Sequence, residues 1–429
     1  MGIKLIASLA LFTVLISCGQ SKIVSVQLAK PEGSKYQFAQ VEPSIAIHPK
    51  NTNIQIAGSV LDDYYYSQDA GKTWTSKTLK SKYGVYGDPV LLFDNEGRAY
   101  YFHLASYKQG HHLDRIVCQY SDKVDGEFSG GSAPAPVGTK VQDKHWICVD
   151  PETNALYMTW TQFDAYNSDN PKDSSIIVFS KSLDQGVSWS TPIRISKHGG
   201  DCLDDDNTVE GAVPAVGKNG EIFVAWAGPL GLVWQKSLDK GETWMKEEIV
   251  IGPLFGGWTL EIPAIMRANG LPILQSDLSQ GPNRGTLYLN WCDQKNGEDD
   301  TDVWLAKSTD EGQTWSAPIR VNQDKGKAQQ FFTWMTVDQS TGYLYLVYYD
   351  RRNSKGNETD VYAACSKDGG QTFTEVRITE KPFLSDESVF FGDYLNIAAV
   401  DGVVRAIYPR MDEFKISLWV GLLSERGFK

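Results

Sequence analysis

Five copies of one short motif constrain the fold of this chain more than any other feature. Each copy reads Ser-x-Asp-x-Gly-x-Ser/Thr-Trp/Phe, and the copies begin at Ser67, Ser182, Ser237, Ser308 and Ser366. A repeat at such spacings is typical of radial or stacked β architectures. We expect the Asp to accept backbone N–H hydrogen bonds, the Gly to adopt a positive φ and the aromatic ring to anchor the turn. The motif therefore predicts a hairpin clamp that occurs once per sheet.

This motif is the Asp box, also called the BNR repeat, and through it the chain resembles the sialidase superfamily of β-propellers. The resemblance implies an all-β fold of radially arranged sheets, each with its Asp box between the third and fourth strands. It implies less about the reaction, because one fold can carry many chemistries. We therefore expect the boxes to be scaffold and assign them no catalytic role.

Counting strands around the boxes predicts a seven-bladed β-propeller, with six blades, the number in sialidases, as the alternative. Box one and box two are 115 residues apart, from Ser67 to Ser182, so a blade with a decayed box at Ser121–Phe128 must lie between them. After the last box, three strands remain at 393–400, 403–408 and 416–422. The strand at 23–28 supplies the fourth and joins the two ends of the chain, which removes an open sheet edge. In blade five we expect the inner strand at Glu261–Met266.

The first residues have the pattern of a bacterial lipoprotein signal. Lys4 precedes an apolar run, and Leu15-Ile16-Ser17-Cys18 looks like a lipobox. The run is too short to span a bilayer. We expect a signal peptide at 1–17, lipidation of Cys18, a tether at 18–22 and one propeller domain over 23–429. The protein would then be lipid-anchored at the bacterial cell envelope, at the outer membrane or the periplasmic face.

Composition excludes some partners. The formal net charge is −12, which argues against binding to nucleic acid and against electrostatic binding to a membrane surface. We expect a monomer with a glycan substrate or ligand. No cofactor is predicted, and the cysteine spacing is not a metal pattern. The acidic loop Asp201–Asn207 could hold structural calcium through oxygen ligands, although a solvated loop is the simpler interpretation.

The starts of the inner strands should meet around one mouth of the central channel. Five of the seven predicted starts carry a carboxylate, and the ends of second strands add aromatic and basic side chains. Such a funnel can supply an acid, a base and a stacking surface for a sugar. The predicted catalytic residues are Asp88, Glu210, Glu261 and Tyr394. The predicted substrate-binding residues are Glu42, His145, Trp334, Arg351, Arg352, Asp393 and Arg410.

Three functions fit this funnel. The resemblance implies an exo-acting glycoside hydrolase with an arginine triad, a Tyr nucleophile activated by Glu, and an Asp acid/base; Arg351 or Arg352 and Arg410 would supply two arginines. The family's early Arg-Ile-Pro signature is absent, and Glu42-Pro43-Ser44 occupies the comparable strand. A polysaccharide lyase on uronate-containing glycans would use His103, His145 or Tyr394 with Arg352. A non-catalytic glycan- or protein-binding propeller would need the funnel alone.

Overall fold

The computed structural model describes residues 23–29, 40–106 and 111–428. These ranges contain thirty strands, a single 3-10 turn at Glu425–Gly427 and no α-helix. None of the helical structure in these ranges is long and apolar enough to cross a membrane. The predicted signal peptide, Cys18 and the tether lie outside the described residues, so those predictions stay untested.

The strands in chain order are β1 (Val24–Ala29), β2 (Ser44–Ile47), β3 (Gln55–Ser59), β4 (Asp63–Ser67), β5 (Thr75–Thr78), β6 (Gly87–Phe93), β7 (Ala99–Leu104), β8 (Ile116–Ser121), β9 (Val141–Val149), β10 (Leu156–Phe163), β11 (Ser175–Ser182), β12 (Ile193–Arg194), β13 (Glu210–Val216), β14 (Ile222–Gly228), β15 (Gly231–Ser237), β16 (Ile249–Gly252), β17 (Thr259–Leu260), β18 (Ala268–Asn269), β19 (Ile273–Ser276), β20 (Leu287–Asp293), β21 (Asp302–Ser308), β22 (Ile319–Arg320), β23 (Gln330–Asp338), β24 (Tyr343–Asp350), β25 (Glu358–Ser366), β26 (Thr374–Arg377), β27 (Phe383–Leu384), β28 (Asn396–Val400), β29 (Val403–Asp412) and β30 (Lys415–Ser424).

Seven antiparallel sheets form the blades of a β-propeller. Blades one to six begin at β2, β6, β9, β13, β19 and β23 and follow the chain outward, while blade seven has the order β28-β29-β30-β1. Blade two has three strands, and a bridge from Cys118 to Ser132 covers part of its outer edge. Each innermost strand contacts the innermost strands of both neighbouring blades, including β28 with β2. The ring is therefore closed, and all seven inner strands line one central channel.

The strand that closes blade seven comes from the beginning of the described chain, as predicted. β1 pairs antiparallel with β30, with Val24 opposite Leu422 and Val26 opposite Val420. The Tyr408 hydroxyl donates to Ser25 Oγ at 3.0 Å across the same sheet. Both ends of the ring are thus held in one sheet, and seven blades are confirmed.

The Asp boxes join the third and fourth strands and act as clamps. In the first box, Asp69 Oδ1 accepts hydrogen bonds from the Thr73 N–H at 2.9 Å and from Ser67 Oγ at 2.9 Å, while the Gly71 N–H donates to Ser67 Oγ. The other four boxes repeat these contacts. The box glycine also packs closely on the preceding blade. A Cβ on Gly312, which has φ +84°, would lie 2.4 Å from the Trp234 ring.

Blade five departs from the prediction. Its inner strand is Ile273–Ser276, whereas 261–266 lies in the connection between β17 and β18. The apolar alternation at 261–266 is typical of a strand. No strand forms there, because Pro263 has no N–H to donate to a sheet and Ala264 has φ 60°. Glu261 is exposed there rather than starting an inner strand.

A β-bulge with a left-handed residue opens the inner strand in blades two, three, four and six. In blade two, for example, Gly87 pairs with Leu104 and Val90 pairs with Phe102, so one extra residue is present on the inner strand. The first bulged residues have positive φ: Asp88 (51°), Lys144 (49°), Gly211 (70°) and Phe332 (53°), and Glu42 (50°), just before β2 of blade one, has the same backbone conformation. Left-handed backbone costs a non-glycine residue about 1 kcal/mol or more and is concentrated at functional sites. The bulge also redirects side chains at the channel mouth.

Candidate functional site

The left-handed residues of blades one to three meet the start of blade seven in one ionic cluster. The Lys144 ammonium contacts Asp393 and lies 3.7 Å from Glu42 Oε1. Arg267 Nε donates to Asp393 Oδ1 at 2.8 Å, and its Nη2 pairs with Asp393 Oδ2. Burial opposes ionisation of Asp393, but Arg267 and Lys144 outweigh it and hold the pKa of Asp393 well below its usual range. Asp393 is therefore an ionised, fully engaged carboxylate.

Arg267 extends the cluster to the loop before blade four. Its Nη1 donates to Asp204 Oδ2 at 3.0 Å, and the Tyr166 hydroxyl donates to the same oxygen. The Asn269 amide also donates to the Asp393 carbonyl at 2.8 Å. About a third of the Arg267 side chain remains exposed, at 35%. Arg267 therefore forms part of the solvent-facing rim while connecting blades four, five and seven.

Glu210 is a buried acid that no donor reaches. It is fully buried, and within the described ranges no N–H or O–H group donates to either of its carboxyl oxygens. Burial raises the pKa of Glu210 well above its usual value, and the negative charge of Asp204 raises it further. Burial therefore favours the neutral form of Glu210.

Glu42 and Asp88 form a second pair of close carboxyl groups. Burial raises the pKa of Glu42 well above its usual value, and the neighbouring Asp88 raises it further despite Lys144. Burial also raises the pKa of Asp88, although Lys144 and a hydrogen bond from Glu42 oppose that shift. Two carboxyl groups this close cannot both ionise easily, so the pair holds a proton.

Asp143 lies between these two pairs and retains some exposure to solvent. Its Oδ1 accepts the Lys144 N–H at 2.8 Å. Burial raises its pKa to about 7, and the charges of Asp88 and Asp204 contribute while Lys144 opposes them. A carboxyl group with such a pKa can donate or accept a proton near neutrality.

Aromatic rings line a small pocket beside this cluster. The Trp146 ring lies 4.2 Å from that of Trp334 and 5.2 Å from that of Tyr394, centroid to centroid. The pocket also contacts Lys144, Asn269 and Asp393. Burial, reinforced by Asp88, raises the pKa of Tyr394 well above its usual value, so the phenol stays protonated. The structure thus brings predicted residues Glu42, Asp88, Glu210, Trp334, Asp393 and Tyr394 to one end of the channel.

The three predicted substrate-binding arginines are engaged elsewhere. Arg351 is buried and donates to the Pro263 carbonyl at 2.7 Å and to Thr359 Oγ1 at 3.0 Å. Arg352 forms a fork with Glu375, at 2.7 Å for each of two bonds, and also donates to Asp350. Arg410 binds Asp412 and the Lys381 carbonyl. None of them has a contact with the Asp393 cluster in the described residues, because each is held by partners in other segments of the chain.

The predicted histidines are buried inside the sheets. His145 is 1% exposed, and burial lowers its pKa to about 3. His103 is fully buried, with its ring nitrogens near the Leu104 carbonyl and Gln119 Oε1, and burial lowers its pKa to about 4. Both imidazoles are neutral. His145 follows Lys144 in the bulge, and it is Lys144 that enters the ionic cluster.

Sequence reasoning missed five members of the cluster: Asp143, Lys144, Tyr166, Asp204 and Arg267. Asp143 and Lys144 belong to the quoted string Asp143-Lys144-His145-Trp146, but the position of the bulge decides which of these side chains face the cluster. Lys144 has φ 49°, like Glu42 and Asp88 at the equivalent positions of blades one and two. An alignment of the strings around Glu42, Asp88 and Lys144 would have identified Lys144 from the sequence. Tyr166, Asp204 and Arg267 come from loops, and no local pattern marks them.

The acidic loop contributes hydrogen bonds to the structure. Asp201 Oδ1 accepts from Thr208 Oγ1 at 2.8 Å, and Asp206 Oδ1 accepts from the Thr259 N–H at 2.8 Å. Across 23–29, 40–106 and 111–428, no group of three or more His, Cys, Asp or Glu side chains is arranged to hold a metal ion. Structural calcium in this loop stays a prediction.

Comparisons with known proteins agree with this architecture. The model of the BNR/Asp-box repeat matches residues 65–76, and no curated protein sequence matches the chain significantly. A solved ulvan lyase of a new polysaccharide lyase family, bound to -[GlcA(1-4)Rha3S]-, is 15% identical with a TM-score of 0.51, over 90% of this chain and 95% of that one. A protein of unknown function from Dyadobacter fermentans is 12% identical with a TM-score of 0.50, over 94% and 98% of the two chains.

A Hadza microbial sialidase is also similar, at 14% identity and a TM-score of 0.48, over 88% of this chain and 74% of that one. At such identities the likenesses concern the fold. The boxes, the seven blades and the similarity to the ulvan lyase together show that the chain is a β-propeller with BNR/Asp-box repeats.

Proposed function

We propose that this propeller hydrolyses glycosidic bonds at the mouth of its channel. The observation that carries the proposal is the set of protonated carboxyl groups around Asp143, beside ionised Asp393 and an aromatic pocket. Glycoside hydrolysis requires one carboxylic acid to protonate the leaving oxygen and a second carboxylate to assist attack. Solved propellers of similar fold include a polysaccharide lyase and sialidases, which supports carbohydrate as the substrate class.

Asp143 is the candidate general acid, because it is partly exposed and its pKa of about 7 leaves it protonated in neutral and mildly acidic solution. Asp88, which is also partly exposed, is the candidate second carboxylate. Glu42 and Glu210 hold protons beside them, and Tyr394 is a hydrogen-bond donor to a bound sugar. Trp334 and Trp146 provide a stacking wall for the apolar face of a sugar ring.

The test is a panel of exo- and endo-glycosidase substrates assayed for release of reducing sugar. Asp143→Asn and Asp88→Asn should each lower kcat by about 100-fold or more on any active substrate. Asp169→Asn, an exposed carboxylate on the loop between β10 and β11, is the matched control and should retain full activity. For wild type, activity should fall as pH rises through about 7, because the Asp143 acid is lost. Unchanged kcat in both site variants would exclude this mechanism.

A polysaccharide lyase is the second candidate. It is favoured by the ulvan lyase of similar fold, and His145, the predicted base next to Lys144, is its candidate catalytic residue. A lyase would create an unsaturated uronate that absorbs in the ultraviolet, while a hydrolase would not. Appearance of that absorbance, and its loss in His145→Ala with retention in Asp143→Asn, would replace hydrolysis by elimination.

The location of this activity at the cell envelope belongs to the same proposal. It is supported by the apolar run that ends at Leu15-Ile16-Ser17-Cys18. Mass spectrometry of the mature protein should find Cys18 as the acylated first residue. An unacylated N-terminus downstream of Cys18 would contradict the lipid anchor.

A further inference from the structure

The channel mouth carries more acid than base. Six carboxyl groups interact there, and the cluster includes two cations, Lys144 and Arg267. The acids are Glu42, Asp88, Asp143, Asp204, Glu210 and Asp393. A cleft lined by one sign of charge concentrates ligands of the opposite sign. Glu210 holds one proton and the Glu42–Asp88 pair holds another, yet even with Asp143 protonated the remaining carboxylates outnumber the two cations. The mouth therefore favours a cationic or neutral sugar over an anionic one.

Both cations of the cluster are already neutralised. Lys144 contacts Asp393 and Glu42, and Arg267 contacts Asp393 through a fork and Asp204 through its remaining nitrogen. Recognition of a ligand carboxylate would require a guanidinium fork free of such partners. The described residues place no such arginine in the cluster, since Arg351 binds carbonyl and hydroxyl groups in another loop.

Three acids have no cation of their own. Within the described part of the chain, no Lys, Arg or His nitrogen forms an ion pair with Asp88, Asp143 or Glu210. Of the three, Glu210 has the greatest free-energy cost of ionisation, because it is fully buried and no donor reaches its oxygens. A buried carboxyl group of this kind stays neutral until a positive charge or a donor arrives.

Aromatic rings beside the acids provide a further surface that can bind a cation. Trp146, Trp334 and Tyr394 lie beside the acids, and the Lys144 ammonium already sits 5.8 Å from the centre of the Tyr394 ring. Protonated amines are bound in proteins by the combination of carboxylates and aromatic faces. Lys144 thus shows, within the protein itself, how an ammonium group is accepted here.

We propose that the unit bound at this mouth is a sugar with a free, protonated amino group, which pairs with the uncompensated acid Glu210. This inference rests on the proposed function for the role of the mouth as a sugar site. It names a cationic glycan, rather than an acidic one, as the substrate class.

Binding should be linked to proton release. The charged groups that face Glu210 are Asp204 from the loop before blade four, and Asp143 and Lys144 from blade three. An ammonium group beside Glu210 lowers the pKa of that acid, so a proton leaves Glu210 as the ligand binds, while Asp143 keeps the proton that hydrolysis requires. Affinity should therefore rise from pH 5 to pH 6, where the ligand amine remains largely protonated.

The experiment compares three tetramers, one with free amino groups, one with the same amino groups acetylated and one with carboxylates. Calorimetry on the full chain should show a glucosamine tetramer binding at least tenfold more tightly than the N-acetylglucosamine tetramer and a tetragalacturonate. Measured in two buffers of different ionisation enthalpy at pH 6, binding should release protons. Glu210→Gln should weaken binding of the amine about tenfold or more, and Asp169→Asn should not. Thermal unfolding establishes that each variant is folded.

Equal or tighter binding of the acetylated or acidic tetramer would overturn the inference, as would the absence of binding of the amine at millimolar concentration. Cleavage of each glycan is measured in an assay separate from binding. Amine binding without cleavage of any glycan would remove the proposed hydrolysis and leave this inference intact. Hydrolysis of an acidic glycan without amine binding would do the reverse.

Discussion

At the residue scale, the site depends on acids kept in unequal protonation states by their surroundings. Asp393 is ionised because Arg267 and Lys144 neutralise it, although burial opposes its charge. Glu210 is neutral because burial and Asp204 both oppose its charge. One fold thus holds a charged and an uncharged carboxyl group within a single cluster. Environments that separate the pKa values of neighbouring acids are the usual basis of acid/base chemistry.

Glu210→Gln should stabilise the protein at high pH. Because the folded-state pKa of Glu210 is raised, the folded protein holds a proton that the unfolded chain loses above about pH 4.5. The free energy of unfolding therefore falls as pH rises above that point, and the neutral amide removes this dependence. We expect the variant to gain on the order of 1 kcal/mol over wild type at pH 8 and little at pH 4, measured by urea denaturation.

Glu221→Gln is the matched control at the other end of the same blade. Burial opposes its charge, but Asn219 donates to it from both backbone and side chain and lowers its pKa. Its contribution is present above about pH 4.5 and is lost as pH falls. The variant should lose about 1 kcal/mol at pH 8. The same response in both variants would show that Glu210 is not held neutral.

The acids of the site were only partly predictable from residue patterns. Glu42, Asp88, Glu210 and Asp393 follow from the start of each inner strand, because chain direction brings those starts together. Asp143 and Lys144 were passed over for His145, because a bulge shifts which neighbour faces the cluster. Arg267 and Asp204 depend on the closure of long loops, which has no local signature.

At the element scale, the Asp box is the most regular unit of the chain. Asp368 accepts from the Thr372 N–H at 3.0 Å, from Thr372 Oγ1 at 2.6 Å and from Ser366 Oγ at 2.8 Å. Burial opposes its charge, but the Thr372 hydroxyl and N–H together with the Ser366 hydroxyl outweigh it and lower the pKa of Asp368 to about 2. Its stabilising effect is therefore present above about pH 4 and is lost as pH falls toward 2.

Asp368→Ala should lower the free energy of unfolding by about 1–3 kcal/mol at pH 7, because it leaves a backbone N–H and two hydroxyl groups without their acceptor. The deficit should shrink between pH 4 and pH 2. Asp125→Ala, in the decayed box of blade two, is the control, since within the described ranges its carboxylate accepts none of the hydrogen bonds that define a box. Denaturant titrations of both variants measure the difference, and equal losses would refute the clamp.

Element bounds were predictable where a box fixed them. Blades one, three, four and six follow the expected order, and blade two was found through its spacing alone. Blade five was wrong at its inner strand, because Ile262 and Ile265 give an apolar alternation that Pro263 and Ala264 interrupt in the structure. The local pattern of 261–266 cannot reveal that the strand comes several residues later, at β19.

At the scale of the whole molecule, one strand pairing, that of β1 with β30, joins the two ends of the described chain. β1 contributes the outer strand of blade seven, whose other three strands come from the opposite end of the described chain. Removal of β1 would expose the edge of β30. It would also remove the pairing that joins the two ends of the described chain in that sheet. Ring closure was predictable from the sequence, because counting strands left one sheet a strand short.

Deletion of residues 24–29 should lower the thermal unfolding midpoint by on the order of 5 °C or more, because the pairing with β30 and the bond from Tyr408 to Ser25 are lost. The control is a chain that begins at Ile23 and keeps β1. Calorimetry measures both midpoints. Unfolding at the same temperature in the two proteins would show that β1 does not contribute to closure.

The left-handed residues Glu42, Asp88 and Lys144 lie at the start of the inner strands of blades one to three. The residues after them form the strand ladder and pack on the neighbouring blades, while the left-handed positions hold side chains as different as glutamate, lysine and phenylalanine. Gly211 and Phe332 occupy equivalent places in blades four and six, and their sheets are intact. Ligand preference can therefore drift at these five places without disturbing the framework, which makes them the natural positions for diversification, whether by evolution or in a combinatorial library.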